Sequence, residues 1–487
     1  MRKHLIFFSI LIAAALAILS CGGSSNMSQT PSTPSGSGQL ALVGTDAPIC
    51  GVDSFDVTIT SATLTPQGGG TPVSVVDSSN PVTVDFASLM GFNTLLNLSS
   101  IPAGTYSQIT FTFMPNASLV VFDGNPPVPT TINATLTQTT VTANINPALQ
   151  VSASGSSGLT LDFRLFQSIQ VDSTGQITGQ VNPSIRVTPT VITSVSSLGD
   201  IDDLNGIVES VTTTTSNSNF TGSFTMRVRS TRTFQINVTN NTKFEGVSGL
   251  SALTQGLFVE VDAKVDQNGN IVAKDVESEA ETDATTAAFV GPILSVTPDS
   301  SGNATQLTMF VRAEHPDVSS TIPLRSTVTV NISTGTEFKI ATFGADLSDF
   351  LFNASAIARG QHVVVHGPFT GGTSPAVTAN MIVLRPQPVL GNALASPPPV
   401  IGSDGKTGGY YLQPCNPLFQ NQTVNIATFS TTFFNGLTDL NSLDSTSVYL
   451  NRGFLLYTTN SGSLNGLTWT APAYVFPAYV VRKLNLP

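Results

Sequence analysis

His362 and His366 stand four residues apart, the spacing that lets two imidazoles share a metal ion from one face of a helix. The residues between them are Val363, Val364 and Val365, and Gln361–His366 reads as a strand. On a strand, four residues span about 13 Å, whereas each ligand must approach zinc to about 2 Å. The pair therefore reads as strand residues with a solvated side, and no metal is expected. His315 precedes Pro316 in a loop insertion without a nucleophile pattern beside it, and His4 lies in the N-terminal leader. There is no Gly-x-Ser-x-Gly, His-Glu-x-x-His, phosphate-cradling glycine loop or Cys-x-x-Cys. Absent motifs leave open catalysis by dispersed carboxylates. Asp46, Asp53 and Asp56 surround one turn, where Asp46-Ala47-Pro48 reads as a side-chain-capped turn. Asp200, Asp202 and Asp203 precede Asn205-Gly206, but Leu204 occupies an oxygen-ligand place and no Glu closes a calcium loop, so this is a solvated hinge. Glu277, Glu279, Glu281 and Asp283 fall on one side of an extended strand and read as a wet edge or linker. No catalytic residue and no cofactor is expected.

The cysteine that invites chemistry is Cys21. Arg2 and Lys3 open the chain, an apolar run from Leu5 to Leu19 follows, and Ser20-Cys21 closes it. That is the order of a secretory signal peptide, and Ile18-Leu19-Ser20-Cys21 resembles a bacterial lipobox, in which the cysteine takes the lipid. Residues 1–21 are thus read as a lipoprotein signal peptide and Cys21 as the lipidation site. Gly22, rather than an acidic residue, favours sorting to the outer membrane. No other apolar run approaches membrane-spanning length, so attachment falls to Cys21. Cys50 and Cys415 are the other two cysteines. In an oxidising compartment they form either a disulfide linking the first domain to the last segment or two separate buried thiols.

Composition decides the fold class. Hydrophobic residues make up 40% of the chain and charged residues only 10%, with 40 Gly and 30 Pro. Short strands separated by turns need that mixture; amphipathic helices need more charge. Losing Arg2 and Lys3 would take the formal charge from −11 to about −13, which repels phosphate backbones, so nucleic acid is not an expected partner. The small basic patch of Arg227, Arg229 and Arg232 does not reverse this.

Residues 22–38 are Ser/Gly/Pro-rich and read as a disordered tether spanning about 20–25 Å. From 39 to 195, alternation such as Phe55, Val57, Ile59 against Asp56, Thr58, Thr60 marks a β-sandwich. Here Thr45-Asp46-Ala47-Pro48, Pro102-Ala103-Gly104-Thr105-Tyr106, Leu161-Asp162-Phe163 and Pro183-Ser184-Ile185-Arg186-Val187 occur in an order that resembles domain-of-unknown-function family 4382. The resemblance implies a sandwich and carries no activity.

An internal repeat follows. Residues 202–284 and 287–387 share anchors: Gly206 with Gly291, Asn237 with Asn331, Phe244 with Phe338, and Gly256 with Gly360. In the first copy, Asn268-Gly269 reads as a two-residue hairpin turn. The glycine-opened strands and terminal hairpin resemble domain-of-unknown-function family 5666, which implies small OB-like β-barrels. Pro397-Pro398-Pro399 reads as a linker, and 400–487 as a degenerate third β repeat or a β appendage. The fold class expected is all-β, a sandwich followed by two or three such barrels.

Six of seven tyrosines and the sole Trp469 lie beyond residue 400. Tyr410, Tyr411, Trp469 and Tyr474 are the candidate ligand-binding aromatics, because an apolar face with a polar tip suits sugars and proteins; filling the last barrel is the alternative. Together these features predict a lipid-anchored, non-catalytic envelope protein whose partners are the membrane, through its lipid, and envelope glycan or other envelope proteins. The competing expectation is an envelope-glycan hydrolase using dispersed carboxylates.

Overall fold

The computed structural model describes residues 36–46, 49–90, 92–124, 127–192, 201–213, 217, 219–228, 232–281, 285–315, 318, 320–341, 347, 350–419 and 422–484. The leader, Cys21 and most of the tether lie outside them. The protein is all-β, and four units follow one another along the chain.

The first is a sandwich. A four-stranded sheet places Ser37–Thr45 between Thr94–Pro102 and Ser156–Asp162, with Arg186–Ile192 outermost. The facing sheet is larger and centres on the long strand Val52–Pro66. Alternation explains the packing: Leu40 and Leu42 face Phe55, Val57 and Ile59 inside the sandwich core, while Ala41 and Val43 point the other way. Because Ser37 and Gly38 are already in strand, the ordered unit begins inside the segment read as tether. Thr45 pairs in register with Asp162, and Asp46 Oδ1 accepts the Leu165 amide at 3.1 Å. Two of the separated sequence motifs therefore meet in space.

Three barrels follow with one strand order. In the first, Ile201–Thr212 pairs with Gly222–Val228 and with Leu257–Val265. Arg232–Val238 follows, and Ile271–Glu281 closes the ring by running parallel to it. In the second barrel, Thr286–Pro298, Ala304–Phe310, Thr327–Asn331, His362–Thr370 and Ala376–Thr378 take the same five places. In the third they are Pro386–Ala393, Gly408–Pro414, Val424–Asn435, Val448–Phe454 and Ala473–Leu484. First pairs with second and fourth, and the fifth lies between third and fourth, which is the order of an OB barrel.

Two small devices recur in all three barrels. Gly206, Gly291 and Gly391 sit on the first strand where an added Cβ would run into the backbone carbonyl oxygens of Arg227, Phe310 and Gln413. Only glycine allows the second strand to come that close. After the third strand in the first two barrels, and at the register shift within Val424–Asn435 in the last, Thr242, Thr336 and Thr432 donate their hydroxyls to the carbonyls of Ala273, Ala379 and Ala478 at 2.8, 2.7 and 2.7 Å. Each is followed two residues on by a phenylalanine, Phe244, Phe338 or Phe434.

The last barrel therefore begins at Pro386 rather than 400, and Pro397-Pro398-Pro399 lies inside a loop of that barrel rather than between domains. The hairpin at Asn268-Gly269 is also longer than two residues. Asp266 N–H donates to the Asn270 carbonyl at 2.9 Å, and Gly269 N–H returns to the Asp266 carbonyl at 3.0 Å, with Gly269 at φ +82°. The Asp266 carboxylate accepts the Asn268 and Asn270 amides, so a three-residue loop with a left-handed glycine replaces the tight turn. Asp172–Gln176 and Asp299–Asn303 build the same loop.

The four units pack into one body. Ala41, Val43 and Leu95 on the back of the four-stranded sheet enter the core of the first barrel. Ile207 and Phe258 of that barrel pack on Val290, Val364 and Val383 of the second. Val120 and Phe122 of the sandwich meet Phe310 and Leu418 of the two later barrels.

Candidate functional site at the four-domain junction

A chain with so few charges places several of its arginines at the domain contacts, where their guanidinium groups meet acids from other units. Arg312 and Arg325 of the second barrel reach into the sandwich. Arg312 Nη2 lies 2.7 Å from Asp53 Oδ1 and donates to the Asp53 carbonyl at 2.6 Å, while its Nε is 4.0 Å from Asp85. Arg325 pairs with Asp56 and donates through Nε to Ser54 Oγ at 3.2 Å. Its backbone lies in the left-handed region at φ +65°, a cost of about 1–2 kcal/mol offset by these contacts. Arg385, just after the second barrel, pairs with Glu260 of the first. Arg452 of the third barrel lies 3.1 Å from Asp202 and places its guanidinium 3.6 Å above the ring of Phe92. Arg232 of the first barrel donates to the Leu95 and Leu96 carbonyls of the sandwich at 2.8 and 3.1 Å.

Cys50 and Cys415 are joined by a disulfide with Cα atoms 5.6 Å apart, linking the sandwich to the third barrel across 365 residues. Beside it lies a cavity of about 180 Å³ to which all four units contribute. Its polar lining includes Asp53, Asp85, Arg312, His315 and His362, and its apolar lining includes Leu89, Phe92, Val389 and Phe419. Asp85 is fully engaged: Oδ1 accepts the Phe55 amide at 2.8 Å and Oδ2 the Ser54 hydroxyl at 2.9 Å. Asp53 is 4% exposed, and its Oδ2 has no hydrogen-bond partner among the described residues. Burial raises the Asp53 carboxyl above its usual range, and Arg312 only partly opposes this.

Several expectations change here. Asp53 and Asp56 do gather near one turn, but as partners of arginines more than 250 residues away. Asp202 is no solvated hinge, because Arg452 covers it; Asp200 and the Asp203 side chain lie outside the described residues. Glu277 is not on a wet edge: it is buried between the neighbours Glu245 and Glu260, and its carboxyl is pushed up to about 8 by burial, then by Glu245 and Asp262. The side chains of Glu279 and Glu281, and Asp283 altogether, fall outside the described residues. His366 is buried rather than solvated, and His315 lies buried in a short strand, stacked 4.4 Å from Phe258. Among the described residues no group of three His, Cys, Asp or Glu is placed to hold a metal ion. The basic patch is dispersed, since Arg227 pairs with Glu209 at 2.9 Å and Arg232 faces the sandwich; Arg229 lies outside the described residues.

The aromatic candidates divide. Tyr410 is buried and donates to Asn451 Oδ1 at 2.5 Å, and Tyr474 is buried with its hydroxyl on the Arg359 carbonyl at 2.9 Å. Both are core residues of the third barrel, satisfied internally and closed to a polymer. Tyr411 and Trp469 remain partly exposed near one another. Tyr411 donates to the Thr468 carbonyl at 3.0 Å and Trp469 to the Asn460 carbonyl at 3.1 Å. The junction itself escaped sequence reading, because its parts come from four separate stretches.

The comparisons follow the first two units. Residues 37–180 match the family "Domain of unknown function (DUF4382)". Residues 205–277 match "Domain of unknown function (DUF5666)". The second match falls on the first barrel alone, although the later barrels repeat its strand order. No curated protein matches the chain. Among solved structures, "drosophila Unr CSD456" is similar at 11% identity, over 58% of this chain and 98% of that one, with a TM-score of 0.14. So low a score carries no argument.

Proposed function

We propose that this is a lipid-anchored, non-catalytic protein of the bacterial cell envelope, anchored at Cys21 to the outer membrane and acting as an interaction or structural module. The observation that carries a structural role is the junction: a disulfide and buried arginine–carboxylate pairs join four units into one body. What weighs against hydrolysis is that Asp85 has both oxygens occupied, so Asp53 has no second free carboxylate beside it to complete an acid–base pair. The leader ending in Cys21 supports export and lipidation. Among the described residues, no helix is long and apolar enough to cross a membrane. Tyr411 and Trp469 are the aromatics left to meet glycan or another envelope protein.

Replacing Cys21 with Ser tests the anchor. The variant should leave the membrane fraction or accumulate as precursor, and unchanged processing and retention would refute it. Affinity capture from envelope extract, compared between wild type and Tyr411→Ala/Trp469→Ala, tests the interaction surface. Identical capture by both would remove these aromatics from it.

A further inference from the structure

We propose that the open half of the sandwich's larger sheet is a binding face for an extended, uncharged polysaccharide. That sheet runs the long strand Val52–Pro66 beside Gly104–Phe113, which in turn pairs with Thr140–Val151. Ala62, Leu64, Ile109, Phe111 and Ala143 point into the sandwich core, so the residues alternating with them face outward. In register across the three strands stand Thr63, Thr110 and Thr142. The ranks on either side are Ser61, Thr112, Thr140 and Thr65, Gln108, Asn144. All of these are half-buried or exposed, and each side chain is an uncharged group that both donates and accepts hydrogen bonds. The Thr110 and Thr142 hydroxyls lie 2.9 Å apart, and Gln108 Nε2 donates to Asn144 Oδ1 at 2.9 Å, so neighbouring side chains hold one another in place. Strands repeat about every 4.8 Å and outward residues about every 6.8 Å, which makes a regular grid of roughly 10 by 14 Å.

The surroundings decide the occupant. Towards Val52 the same outer face docks the barrels, and there it is charged and apolar: Asp56 takes Arg325, and Val120 and Phe122 meet Phe310 and Leu418. The open stretch offers nothing of that kind, since Gly104–Phe113 and Thr140–Val151 contain no Asp, Glu, Lys or Arg. A protein partner needs aromatic, Met or Arg anchors, a phosphate backbone needs cations, and a lipid surface needs an apolar face. A neutral polyol needs only closely spaced groups that donate and accept, which the grid supplies rank after rank. The acidic chain, at −11, also repels a polyanion. The chain enters the body at Gly36, whose carbonyl accepts the Ala103 amide at 2.9 Å, beside the start of the strand that carries Gln108, Thr110 and Thr112. On the lipid-anchor reading the grid therefore lies at the membrane-proximal end, in the sugar layer next to the lipid. The ligand class itself rests neither on that reading nor on Tyr411 and Trp469.

The test uses the full-length protein in detergent with cellobiose, cellohexaose and hexagalacturonate as probes, read by saturation-transfer NMR and calorimetric titration. Cellohexaose should bind saturably and about tenfold tighter than cellobiose, because a longer chain engages more of the grid at once. Hexagalacturonate should stay silent. Thr110→Val with Thr142→Val keeps shape and strand preference and removes both partners of one hydrogen bond, so the fold should hold. That variant should bind cellohexaose about tenfold more weakly, from the loss of two hydroxyls. Tyr411→Ala/Trp469→Ala should bind it like the wild type. Should Thr110→Val/Thr142→Val misfold, the wild-type ranking of the three probes decides alone. No saturable binding of cellohexaose, equal binding of hexagalacturonate, full affinity in the valine variant, or loss in the aromatic variant alone would each overturn the proposal. So would a dimer in solution that the valine variant dissociates, because a second copy would then occupy the face.

Discussion

Arg385 and Glu260 form an ion pair in which both side chains are almost wholly buried, at 3% and 2% exposure. Arg385 also donates to Asn205 Oδ1 at 3.3 Å, so one guanidinium ties the exit of the second barrel to two strands of the first. Removing one member leaves a buried charge unmatched, which costs about 3–5 kcal/mol. Glu260→Ala and Arg385→Ala should each lose that much in urea denaturation. Arg385→Met with Glu260→Leu should recover most of it. A double variant as unstable as the sum of the singles would mean the pair does not act as a unit.

The Cys50–Cys415 bridge closes a very long loop, for which the chain-entropy picture gives a stabilisation of about 6 kcal/mol as an upper figure. Cys50→Ser with Cys415→Ser should lower the melting temperature, and reductant should do the same to the wild type alone. A wild type indifferent to reductant would show that the bridge contributes nothing.

Glu277 should give the protein a stability that falls with pH. The unfolded carboxyl ionises near 4.5, whereas the folded one holds its proton to about 8. Its contribution is therefore fully present below about 4.5 and is lost as pH rises through about 8. Melting temperature measured from pH 4.5 to 8 should fall more steeply for the wild type than for Glu277→Gln. Parallel curves would place Glu277 in an environment unlike the one described.

Gly391→Ala should destabilise the third barrel by about 1–3 kcal/mol, because the added methyl meets the backbone of Gln413, which cannot rotate away. Gly206→Ala and Gly291→Ala should behave alike in the other barrels. Calorimetry on the three variants checks this, and a neutral Gly391→Ala would remove the third barrel from the series.

Tyr410→Phe should cost about 1–2 kcal/mol by stranding Asn451 Oδ1 in the core. Tyr411→Phe, at a half-exposed bond to Thr468, should cost less than half as much. Equal losses in chemical denaturation would contradict the division between core and surface aromatics.

Local patterns were readable because alternation and close approach leave marks within a few residues. Phe55, Val57 and Ile59 announce their strand, and Gly206 and Gly291 announce a repeat. Reading Pro397-Pro398-Pro399 as a linker cuts the third copy short at 400, whereas its first strand opens with Pro386 and Pro388. They are tolerated because the second strand reaches this one only from Gly391 to Ala393, leaving an edge unpaired beside the prolines. Thr432-Phe433-Phe434, matching Thr242-Lys243-Phe244 and Thr336-Glu337-Phe338, was the signal that could have aligned the copy. The junction was illegible for another reason. Arg452 and Asp202 are 250 residues apart, and no local rule tells a surface arginine from one that will be covered by another domain.

The position of the bridge also sets a timetable. Cys50 is made early and Cys415 only after two further units and the start of the last, so the first thiol must wait, reduced, while most of the chain appears. Until then it is open to oxidants, to Cys21 or to another copy. A cell that makes this protein therefore needs a way to keep or restore that thiol, and shortage of such help should surface as crosslinked dimers through Cys50.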